Sequence, residues 1–160
     1  MNITFDELSP DARVWIFQAD RKLETSEQQV IDDETALFVR DWKAHGKPLK
    51  AASRLYYDQF LVIALDEKEQ EATGCAIDTS VAFIRELEKA LQVNFFDRSK
   101  VAIMRNDEVM LENLKEIKDK VDKGHITEDT PVFNNLVDKK KDLDNQWVVP
   151  AKKSWLNRYF

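Results

Sequence analysis

The hydrophobic pattern of the chain changes period several times. Arg13-Val14-Trp15-Ile16-Phe17-Gln18-Ala19 is rich in β-branched and aromatic residues with apolar groups on both faces, which predicts a well-covered strand. Beyond it Ile31, Thr35, Phe38 and Trp42 recur at helical spacing, flanked by Val30 and Leu37. Ser26 with Gln29 fits a capping box, and Lys43, His45, Gly46 and Pro48 supply stop signals, so a helix is predicted over 27–44. Two strand-like runs follow, Ala51 to Tyr57 and Phe60 to Leu65, with Asp58-Gln59 as a tight hairpin and Asp66 to Glu71 as a polar connection. Val81, Ile84, Leu87 and Leu91 share one face of the segment 79–92, opposite Arg85, Glu86, Lys89 and Gln92, which predicts a second helix packed on a sheet.

Farther on, Lys100 to Arg105 and Glu108 to Leu111 read as a hairpin about Asn106-Asp107. Leu114, Ile117 and Val121 mark a short charged helix ending at Gly124. Thr130-Pro131 has the form of a helix opening, with Thr130 as cap. Phe133 to Val137, the charged run Asp138 to Asp144 and an aromatic tail from Gln146 to Phe160 complete the chain. The order β-α-β-β-α-β, then a strand and a helix, predicts an α+β fold with a ferredoxin-like βαββαβ core. A different α+β sandwich of the same elements is the competing topology. A single domain is expected over 1–160, its core spanning about 10–124. The extension, about 125–160, is expected to dock on that core or on a second copy, so a homodimer is an expected assembly.

With 43% hydrophobic and 10% aromatic residues, the chain has ample material for a packed core. Its net charge of −6 disfavours a general nucleic-acid binder, which must neutralise phosphates. Tyr56 and Tyr57 are adjacent, so only one of them would face outward from a sheet as a base-stacking platform. The acidic N-terminus lacks an apolar run, no stretch approaches the roughly 18 apolar residues of a spanning helix, and a lone cysteine forms no internal disulfide, so a cytoplasmic location without membrane contact is expected.

Candidate chemistry centres on Gly74-Cys75-Ala76-Ile77-Asp78-Thr79-Ser80. Read as the approach to a helix start near residue 80, it brings a thiol, a carboxylate and two hydroxyls to unpaired N–H groups. Cys75 then reads either as a nucleophile or sensor, or as a small buried residue. Asp78, Thr79 and Ser80 read as an anion site or as helix caps. Asn134 and Asn135 orient a ligand or satisfy a turn. Lys152 and Arg158, interleaved with Trp155, form a small anion-binding or stacking surface, or a docked tail with solvated cations. The acidic run Asp32-Asp33-Glu34 reads as a solvated face, and His45 as a charge at a helix end. No metal site and no cofactor motif is read. The three glycines are too far apart for a Walker A or G-x-G-x-x-G loop, and C-x-x-C, H-E-x-x-H and G-x-S-x-G are absent.

Asp41 to Lys50, Gly74 to Lys89, Phe133 to Val137 and Val149 to Trp155 together resemble a family of uncharacterised bacterial cytoplasmic proteins of about this length, over the whole chain. Members often carry the label of an ABC transporter ATPase, which this sequence contradicts through its lack of a Walker A loop. The resemblance implies no catalytic residue. The expected function is a small cytoplasmic binding or interaction module; the alternative is an anion- or small-ligand-binding enzyme or sensor built on Cys75–Ser80.

Overall fold

In the computed structural model, which describes residues 1–160, the fully apolar run 60–65 lies in β5 (Phe60–Asp66), and every residue of that strand is buried. It is the central strand of an antiparallel sheet, flanked by β1 (Arg13–Gln18) and β4 (Lys50–Tyr56) in the order β1-β5-β4. A strand covered on both faces needs no alternation, and this explains the uninterrupted apolar run. Leu61, Ile63 and Leu65 point to one face, where they meet α1 (Thr25–Asp41) through Ile31 and Val39 and α2 (Gly74–Leu91) through Ala76, Ile84 and Leu87.

The first helix is placed differently from its expected cap and end. It begins after Glu24, whose N–H donates to Glu27 Oε1 at 2.9 Å, and not at Ser26 with Gln29. Arg21 clamps Glu27 with two 2.7 Å bonds and also donates to the Leu91 carbonyl at the end of α2. The guanidinium and the Glu24 N–H hold the Glu27 carboxyl down to about 2. α1 ends at Asp41, short of residue 44, because Trp42 turns extended and Leu49 N–H donates to the Trp42 carbonyl. The expected stop signals form instead a small hairpin, β2 (Lys43–Ala44) with β3 (Lys47–Pro48). His45 and Gly46 take positive φ at its tip, and an X-Gly dipeptide serves such a turn as well as it serves a helix end. The next turn is Tyr57-Asp58, both left-handed, one residue before the expected Asp58-Gln59.

Thr35 is fully buried on α1, and its hydroxyl has no hydrogen-bond partner. A buried, unpaired hydroxyl costs about 1–3 kcal/mol. Thr35→Val keeps the shape and removes the orphan, so the variant should be about 1 kcal/mol more stable in a urea titration.

The chain packs as two compact units, Met1–Phe96 with Asp138–Lys141, and Asp97–Val137 with Asp142–Phe160. The second unit holds β6 (Lys100–Arg105) and β7 (Glu108–Asn113), joined by the expected Asn106-Asp107 turn, then α3 (Ile117–Asp122). Thr130-Pro131 does not open a helix. Pro131–Phe133 is a strand, β8, that pairs with β6 on one side and with β9 (Val148–Pro150) on the other, giving the order β7-β6-β8-β9. Pro131 sits at the first strand position, where its missing N–H is tolerated. The expected ferredoxin-like sheet is therefore seen only in its β1-β5-β4 part; the strand after α2 bonds in the other sheet. β8, β9 and the tail share one core with β6, in which Val101, Ile103, Ile117, Val132, Val149 and Leu156 are buried together. Within the tail, Leu156 is buried in this core, and Trp155 and Phe160 are exposed. No helix is long and apolar enough to cross a membrane.

Candidate functional site

The stretch 74–80 lies inside α2 and not ahead of it. Thr73 is the cap: its Oγ1 accepts from the Ala76 N–H at 3.1 Å. The buried stripe Ala76, Ser80, Ile84, Leu87 has helical spacing, but its first two members are small and leave little hydrophobic signal. Ser80 is buried and donates to the Ile77 carbonyl at 2.6 Å; Thr79 donates to the Cys75 carbonyl at 2.8 Å. Both hydroxyls are spent on the helix's own backbone. Cys75 is exposed, so the buried reading fails, and Asp78 is exposed on the helix surface. Cys75, Asp78 and Thr79 share the exposed face of α2 at i, i+3 and i+4 spacing, and Ser80 lies on the buried face.

The remaining candidates belong to the second unit. Asn135 Oδ1 accepts from the Trp147 indole N–H at 2.9 Å, and Asn134 Oδ1 accepts from the Leu136 N–H at 3.3 Å; both amides serve the turn. Lys152 pairs with Asp129 at 3.2 Å. Arg158 lies over its own neighbours, 5.3 Å from the Trp155 ring centre and 5.1 Å from that of Tyr159. Its cation is already stacked within the tail. No three His, Cys, Asp or Glu side chains converge as a metal site would require.

A concave surface occurs elsewhere, on the outer side of the first unit. Leu37, Phe38, Trp42 and Phe83 line an open groove of about 420 Å³ between α1 and α2, with Glu34, Asp41, Lys43 and Thr79 at its edges. Phe38 and Phe83 stack face to face, ring centres 4.5 Å apart and planes 5° from parallel. Trp42 forms the floor. It is 3% exposed, donates to the Ala76 carbonyl at 2.9 Å and packs edge-on against Trp15. That bond ties the end of α1 to the first turn of α2. Leu37 is 48% exposed, and Val30, two helical turns earlier on the same side, is 40% exposed. A second depression, of about 330 Å³, is walled by Met1 to Phe5, Ala36, Val39 and Ala52 to Arg54.

The groove's charges are unequally satisfied. Arg40 donates to both oxygens of Asp41 at 3.1 Å, which holds that carboxyl below its usual range, with Lys43 adding to the effect. Glu34 and Lys43 are in no ion pair. Of the sequence candidates, only Thr79 lines this groove. Leu37, Phe38, Trp42, Phe83, Glu34 and Lys43 were not singled out by their chemistry. The available signal was Val30 and Leu37, apolar residues outside the buried stripe of α1. The chain matches no protein-family model, no curated protein and no solved structure, so this site stands on its geometry alone.

Proposed function

We propose that the protein is a small binding module of the cytoplasm that docks a partner in the groove between α1 and α2. The observation that carries this reading is the exposed Leu37 beside the rigid Phe38–Phe83 stack over Trp42. An exposed leucine beside a half-buried aromatic stack, with charged residues lining the same groove, has the anatomy of an interaction surface. At Cys75–Ser80 the Thr79 and Ser80 hydroxyls donate to backbone carbonyls, and Cys75 and Asp78 face solvent on α2. A photo-crosslinking residue placed at position 37 of the full chain, expressed in cells, tests the reading. It should give one or a few discrete protein adducts. Absence of any discrete adduct would overturn it.

A further inference from the structure

The groove's own charges point to its occupant. Glu34 stands toward the N-terminal end of the groove-lining stretch of α1, and Lys43 just beyond its C-terminal end. The residues from Glu34 to Asp41 alone span roughly 10 Å of helix at about 1.5 Å per residue. Asp41 is neutralised by Arg40, so the groove presents one unpaired negative charge at one end and one unpaired positive charge at the other. Between them lies the apolar stretch of Leu37, Phe38 and Phe83. A uniformly basic partner would leave Lys43 facing like charge, and an acidic one would do the same to Glu34. A partner carrying the same two charges in reversed order satisfies both, and a two-fold rotation of this groove supplies that order.

We propose that the groove binds a second copy of this chain about a two-fold axis, each copy's Glu34 meeting the other's Lys43 while the two Leu37 side chains meet over the Phe38–Phe83 stacks. This rests on the reading of the groove as a docking surface and names its partner. Solvent-exposed pairs add little affinity, so the apolar contact drives association and the charges set its register. The Glu34–Lys43 contact occurs twice in such an interface and the Leu37 contact joins the same residue of both copies, so a single substitution alters both sides.

Sedimentation velocity on the purified full chain over a wide concentration range tests this. The native chain should show a reversible monomer–dimer equilibrium. Leu37→Glu should be monomeric at every concentration. Glu34→Lys and Lys43→Glu should each weaken the dimer by about tenfold or more, and the double variant E34K/K43E should bring it back to near the native strength. All three positions of change, Glu34, Leu37 and Lys43, are exposed, and circular dichroism would confirm that each variant keeps the native fold. A native chain that stays monomeric, a dimer indifferent to Leu37→Glu, or a double variant as weak as the singles would each overturn the proposal. If the chain is monomeric while the crosslinker at position 37 captures a different protein, the second copy is ruled out and the docking reading stands. If position 37 captures nothing, both fall.

Discussion

Trp42→Ala should unfold the first unit at markedly lower urea, with a loss of about 3–5 kcal/mol, and should remove the groove with it. The indole is buried between Trp15 and Phe38 and carries the bond to Ala76 that joins the two helices. Its deletion therefore leaves a large void and an untethered helix pair. Trp42→Phe separates the two contributions: it keeps most of the ring and loses the donor, for an expected cost of about 1 kcal/mol. Binding through the groove should weaken in both variants, because Trp42 packs against Phe38, which in turn stacks on Phe83. Equal stability of Trp42→Ala and the native chain would refute the role assigned to this residue.

How much of this was legible in the sequence depends on what kind of signal each residue left. The Asn106-Asp107 hairpin was readable because both residues tolerate positive φ and stand between two apolar runs, Val101 to Met104 and Val109 to Leu111. β1 and β5 were readable as short apolar runs rich in β-branched and aromatic residues, and α1 from the helical spacing of Ile31, Thr35 and Phe38. The onset of α2 was hidden, since Ala76 and Ser80 are small and Asp78 and Thr79 resemble caps. His45-Gly46 and Thr130-Pro131 are dipeptides with two structural uses each, and long-range pairing decides between them: Leu49 with Trp42 in one case, β9 with β8 in the other. The groove was the least legible feature. Leu37 is visible as an apolar residue off the buried stripe, but its wall, Phe83, is far away in sequence and meets Phe38 only once both helices lie on the same face of the sheet.

In the second unit, Trp147→Ala should cost about 3–5 kcal/mol, comparable to Trp42→Ala in the first. The side chain is 1% exposed and stands edge-on to Phe133 at 5.4 Å. The informative companion is Asn135→Ala. Its carbonyl oxygen accepts the Trp147 indole proton, so the substitution leaves a buried donor poorly satisfied, at a cost of about 1–2 kcal/mol. A ligand-orienting asparagine would behave otherwise, losing binding with little change in stability. Urea midpoints for Asn135→Ala and Trp147→Ala therefore decide between the two readings of the Asn134-Asn135 pair, and a native midpoint for Asn135→Ala would favour the ligand.

The most direct measurement is hydroxyl-radical footprinting of the chain in cells compared with dilute purified protein. Leu37 and Phe83 should be oxidised less in cells, where a partner covers the groove, while the exposed Trp155 of the tail is labelled equally in both. Equal oxidation of Leu37 and Phe83 in the two settings would contradict a docking function for the α1–α2 groove.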